Sequence, residues 1–191
     1  VADYVLSHDV TPFVAGWPWV SGTGFGSKFS NPGTLPPGIG NSTAFHWANQ
    51  YVAIAADATP FERVYPYTPG TGFGTALSNP ASLPAGNGRD AAFSRLGTAL
   101  MFAVATTPFL AGYPFSSSGL GTKYTDPGTL PAGLGRGCAF TPDSLFVAIA
   151  HNTSPAVSVY PFTAAGGYGT KLTNPATVPA GNGVKVTFTP L

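Results

Sequence analysis

Charged residues are scarce in this chain. Eight Lys and Arg and seven Asp and Glu make up 8% of 191 residues, against about 25% in an ordinary soluble domain. The two signs nearly cancel at +1, so the basic footprint of a nucleic-acid binder is missing, and so is the charge that seeks an anionic membrane surface. Cysteine occurs once, at Cys138, which excludes an intramolecular disulfide and leaves the redox compartment open. The longest apolar run, Ala99 to Ala105, falls far short of the roughly 20 residues a membrane helix needs. The chain starts at Val1 without a basic, apolar, small-residue leader. It is expected to be processed, excised or part of something longer. Carboxylates are too few to offer an obvious catalytic pair: Glu62 and six aspartates.

What is abundant points one way. Gly (25) and Pro (20) are plentiful, and in a helix interior they cost about 1 and 3 kcal/mol relative to Ala. Long helices are therefore excluded. The aromatics (14 Phe, 8 Tyr, 3 Trp) supply a core that a disordered chain lacks. The expected class is all-β.

An internal repeat organises the chain. Gly24-Phe25-Gly26-Ser27-Lys28-Phe29-Ser30-Asn31-Pro32-Gly33-Thr34-Leu35-Pro36-Pro37-Gly38 returns from Gly72, Gly119 and Gly167. Asn/Asp-Pro prolines fall at Pro32, Pro80, Pro127 and Pro175, and Thr/Ser-Pro prolines at Pro12, Pro60, Pro108 and Pro155. Both series give a period of 47–48 residues. Within one unit the turn signals separate four short strands: Gly137–Phe140, Phe146–His151, Val157–Phe162 and Tyr168–Leu172. Four strands per repeat of this length is the pattern of a β-propeller blade; leucine-rich, ankyrin and tetratricopeptide repeats are shorter and helical. One propeller domain, 1–191, is expected, with blades at about 1–40, 41–88, 89–135 and 136–183.

Phe140-Thr141-Pro142-Asp143-Ser144 followed by Phe146-Val147-Ala148-Ile149-Ala150-His151 resembles WD40-like repeats. Where those repeats carry Trp-Asp, this chain has Trp17-Pro18-Trp19, Tyr65-Pro66-Tyr67, Tyr113-Pro114-Phe115 and Tyr160-Pro161-Phe162, and the Gly-His signature is absent. The variant is similar to WD40-like repeats encoded by tailed bacteriophages. That resemblance implies a non-enzymatic structural or interaction module: a tail, fibre or capsid-surface protein, in the virion or outside the cell, that binds other subunits or the host surface. A carbohydrate-binding propeller is the alternative it leaves, with a host-surface glycan as partner.

The termini have complementary phase. The chain opens on a second strand, Tyr4–Ser7, and closes on a first strand, Val184–Phe188. Residues 184–191 are expected to complete the first blade and close a four-bladed ring. A dimer sharing eight blades and a four-blade piece of a larger ring remain open.

Chemistry is thin. The Gly-Phe-Gly and Gly-Asn-Gly triplets open no helix, so they are not phosphate loops; they are read as sources of positive φ. His8 and His151 share one repeat position and read as corner residues, His46 as a surface residue, and Cys138 as an inert core thiol. No metal, cofactor or catalytic group is expected. First strands line the channel of a propeller, and their entrances read Asn41, Arg89, Arg136 and Val184, with Asp90 and Lys185 one step on. Asn41, Arg89, Arg136 and Lys185 are therefore the candidate binding residues, suited to an anion or carboxylate. Phe45, Phe93, Phe140 and Phe188, one per blade, are expected to be buried.

Overall fold

The computed structural model describes residues 2–189 and contains fifteen strands and no helix among them. The first blade comprises β1 (Ala2–Ser7), β2 (Val14–Val20) and β3 (Gly24–Phe25). The second holds β4 (Gly40–Phe45), β5 (Tyr51–Ala56), β6 (Glu62–Thr68) and β7 (Gly72–Phe73). The third holds β8 (Gly88–Phe93), β9 (Ala99–Val104), β10 (Leu110–Ser116) and β11 (Gly119–Leu120). The fourth holds β12 (Gly135–Phe140), β13 (Phe146–His151), β14 (Val157–Thr163) and β15 (Gly167–Tyr168). Each sheet is an antiparallel meander in chain order, as a propeller blade requires.

The burial of each strand follows from its composition. β9 is apolar throughout and all six residues are buried, because a blade between two others is covered on both faces. Alternate residues along each strand face opposite neighbouring blades. Ala53, Ala55 and Val64 of the second blade meet Leu100, Phe102 and Tyr113 of the third. Met101 and Ala103 of the third meet Val147, Ile149 and Tyr160 of the fourth. The core thus lies between blades rather than in one central mass.

The Thr/Ser-Pro marker forms the same turn four times. Pro12, Pro60, Pro108 and Pro155 follow cis peptide bonds, and Phe13, Phe61, Phe109 and Ala156 after them have φ of 66–70°. These non-glycine residues supply a left-handed corner that the sequence does not announce. The glycines divide into two groups. Gly24, Gly72, Gly119 and Gly167 have positive φ, as expected of the Gly-Phe-Gly triplets (Gly-Leu-Gly in the third and Gly-Tyr-Gly in the fourth). Gly40 and Gly88, with ordinary φ, sit where a Cβ would fall 2.6 and 2.5 Å from the carbonyls of Phe13 and Phe61. Those positions are glycine because the next blade's first strand presses against that corner, which corrects the reading by positive φ alone.

No strand ladder joins the two end segments among the described residues. The first sheet has three strands, and Val184–Phe188 carries no strand and no ladder to β1. The segment does follow the axis, since its Lys185 backbone lies against Gly137 of β12. Gly183 N–H donates to the His151 carbonyl at 2.9 Å, as Gly40 N–H does to His8 at 3.1 Å.

Candidate functional site

The axial mouth is built from the first residues of the first strands, and each of those strands carries the same irregularity. In β4 the pairing with β5 jumps from Gly40 to Ser42, in β8 from Gly88 to Asp90, and in β12 from Gly135 to Gly137. Asn41, Arg89 and Arg136 are therefore the extra residues of three matched β-bulges. A bulge leaves one residue outside the ladder and re-aims its side chain. Here all three line one cavity of about 300 Å³, with Leu134 and Val184 completing the wall.

The electrostatics of this cavity are set one residue further in. Asp90 is buried, and three donors reach its carboxylate: Ser42 Oγ at 2.6 Å, Cys138 N–H at 2.9 Å and Lys185 Nζ at 2.5 Å. One carboxylate thus ties β4, β12 and the C-terminal segment to β8. Lys185 is consumed in that pair and does not line the cavity. Its side chain stays 63% exposed while its Nζ reaches the buried Asp90. Asn41 donates its amide to the Gly88 carbonyl at 2.7 Å. Among the described residues, Arg89 and Arg136 have no carboxylate within ion-pair distance. Two uncompensated guanidinium groups therefore frame the opening.

The remaining candidates fall elsewhere. Cys138 is buried in β12, its thiol pushed well up by burial and by the neighbouring Asp90 charge. His151 is buried with Nε2 3.1 Å from Ser158 Oγ, and burial lowers its pKa. His46, expected at the surface, is buried against Tyr51, Phe93 and Phe115, because its blade junction has room for a ring. Among the described residues no three His, Cys, Asp or Glu side chains group closely enough to hold a metal ion.

The opposite mouth holds the first-strand phenylalanines. Phe45, Phe93, Phe140 and Phe188 are only half-buried, since together with Trp47 and Arg95 they line a cavity of about 630 Å³. The first three each stack edge-on against a third-strand aromatic of their own blade at 5.0 Å: Tyr67, Phe115 and Phe162. The repeat alignment stands: Phe45, Phe93 and Phe140 pack on the edges of the inter-blade cores and wall this cavity with their exposed sides.

No known family model matches the sequence, and no curated protein matches it either. Solved structures do. A functionally unknown protein from Desulfotomaculum acetoxidans superposes with a TM-score of 0.63 at 12% identity, over 90% of this chain and 52% of that one. The periplasmic gluconolactonase of Pseudomonas aeruginosa gives 0.62 at 13%, over 84% and 50%. A Bacteroides uniformis protein provisionally named a 6-phosphogluconolactonase gives 0.60 at 13%, over 82% and 49%. The chain spans about half the length of these structures. At such identities the likeness establishes the fold, an all-β propeller. It also corrects the expected function: two of the three are named as enzymes and none as a virion component. The phage-like resemblance rested on turn prolines and glycines that the blade's corners demand whatever a propeller does. The reading as a non-enzymatic phage structural module is set aside.

Proposed function

We propose that this propeller binds a small anion, bearing phosphate or carboxylate, at the axial mouth between Arg89 and Arg136. One observation carries the reading: matched β-bulges in adjacent blades aim two guanidinium groups without carboxylate partners at one cavity. The guanidinium fork matches the oxygens of phosphate and carboxylate and forms paired, charge-assisted hydrogen bonds. The Asn41 side chain adds a polar group on the third side, and Leu134 and Val184 form an apolar wall for the ligand's carbon frame. Asp90, next to Arg89 in sequence, is occupied by its three donors and forms no ion pair with either arginine.

The lactonase names of two structural neighbours guide the choice of probe. Titration calorimetry at fixed ionic strength with inorganic phosphate, gluconate and 6-phosphogluconate tests the proposal. A hydrogen bond to a charged group contributes about 1.5–3 kcal/mol, or at least tenfold in affinity. Arg89→Gln and Arg136→Gln should each weaken binding about tenfold or more, while Arg95→Gln at the other mouth leaves it unchanged. Retention of full affinity by the double variant, or an equal loss in Arg95→Gln, refutes the assignment.

A further inference from the structure

At the mouth opposite the arginine pair, three turns share one frame and differ at their tips. Two residues after Phe45, Phe93 and Phe140 stand Trp47, Arg95 and Pro142. The residue between accepts a hydrogen bond from its own turn in every case. His46 Nδ1 takes the Ala48 N–H at 3.3 Å, Ser94 Oγ those of Thr98 and Ala99 at 3.2 and 3.1 Å, and Thr141 Oγ1 that of Phe146 at 3.0 Å. The tips are thus held in place, and all three line the cavity of about 630 Å³ with the phenylalanines. They belong to the three four-stranded blades, so this wall does not depend on either end of the chain.

Gly97 shows that the indole has a built seat. Asn49, Gly97 and Ser144 occupy one repeat position, with φ of 56°, 70° and 61°. Asparagine and serine accept that conformation in the neighbouring blades, so φ alone does not demand glycine in the third. Space does. A Cβ at Gly97 would fall 2.0 Å from His46 Nε2 and 2.7 Å from Trp47 Nε1. The two rings of the second blade therefore lie on the turn that carries Arg95. Trp47 nonetheless stays 55% exposed, a large aromatic surface that the fold positions without covering.

Charge selects the class of ligand. Aromatic faces attract cations, but here Arg95 stands on the wall and no carboxylate lines the cavity. Asp143, on the adjoining turn, accepts from the Thr141 hydroxyl and the Leu145 N–H instead. Among the described residues Arg95 has no carboxylate within ion-pair distance. A mostly aromatic cavity of this volume with one charged group suits a small organic molecule whose orientation that group fixes. We infer that this mouth is a second binding site, for a flat aromatic acid. Its ring stacks on the Trp47 indole among the phenylalanine edges, and its carboxylate pairs with the Arg95 guanidinium. An ion without a ring, such as phosphate, meets only one exposed guanidinium here and is not retained.

The probe is 2-naphthoate, titrated into the Arg89→Gln/Arg136→Gln protein so that the first mouth cannot hold its carboxylate. The Trp47 indole N–H and Arg95 Nε–H resonances should shift along one saturable curve. Adding Trp47→Ala or Arg95→Gln should weaken binding about tenfold or more in each case. Both side chains are exposed, so the melting temperature should hold, and the resonance shifts need neither substitution. Cyclohexanecarboxylate, equally charged but without a π face, should bind at least about tenfold more weakly. Three results overturn the proposal, whatever phosphate does at the other mouth: no saturation at millimolar naphthoate, full affinity in both variants, or equal affinity for cyclohexanecarboxylate.

Discussion

Glu62 offers the sharpest test of how blades are held together. It opens β6, is 2% exposed, and its Oε1 has no hydrogen-bond partner. Its charge reaches Tyr113 across the junction with the third blade, helping to raise the tyrosine pKa. Burial pushes the Glu62 carboxyl from its ordinary 4.5 up to about 7, against a smaller opposing pull from Arg63. Between those two values the folded protein holds a proton that the unfolded chain has released. Stability therefore falls as pH rises through this window, by up to about 1.4 kcal/mol per unit and about 3 kcal/mol in all, then levels above pH 7. Glu62→Gln keeps the shape and removes the titration. The variant should match the parent near pH 4.5 and exceed it by about 3 kcal/mol at pH 8. Its melting temperature should rise by about 2–4 °C for each kcal/mol. Urea unfolding of both proteins from pH 4.5 to 8.5 gives the comparison. A parent profile without this slope, or a variant that keeps it, refutes the reasoning.

Asp90→Ala removes the shared acceptor of three first-strand elements and leaves the buried Cys138 N–H without a partner, while the largely exposed Lys185 returns to water; it should cost about 1–3 kcal/mol in denaturant unfolding. Tyr113→Phe deletes one latch to the Ser82 carbonyl and should cost about 1 kcal/mol, with Tyr160→Phe similar and the pair additive. Gly88→Ala drives a methyl to 2.5 Å from the Phe61 carbonyl, so it should destabilise by well over the roughly 1 kcal/mol that relieving a glycine's flexibility would gain, read as a lower urea midpoint.

The architecture was legible because two proline series kept one period, and proline and glycine act locally, through φ and through the space a Cβ needs. Strand β13 lies over the residues read for it, Phe146–His151, since a nearly continuous apolar run has one place in a blade. The fourth strands shrink to two residues because the next position on the third strand is a proline, such as Pro161, whose carbonyl accepts from Gly169 N–H but which has no N–H to return the bond. The mouth positions Asn41, Arg89 and Arg136 were found by alignment alone. The bulges that aim them were not, because one extra residue in a six-residue strand changes register without changing composition. A signal was present in the glycine preceding each: Gly40, Gly88 and Gly135. The buried His46 and the paired Lys185 depend on neighbours from other blades, which no local pattern contains. Function was least legible, since corner residues describe a blade and not what it binds.

The anion seat is the central claim, and the side-chain Nε–H resonances of the four arginines test it at the atoms concerned. Inorganic phosphate is titrated at constant ionic strength while Arg63, Arg89, Arg95 and Arg136 are followed together. The account predicts that Arg89 and Arg136 shift along one saturable curve while Arg63, tied to Asn79, and Arg95, at the opposite mouth, stay in place. Four equal, unsaturated shifts, or movement of Arg95 alone, would contradict it.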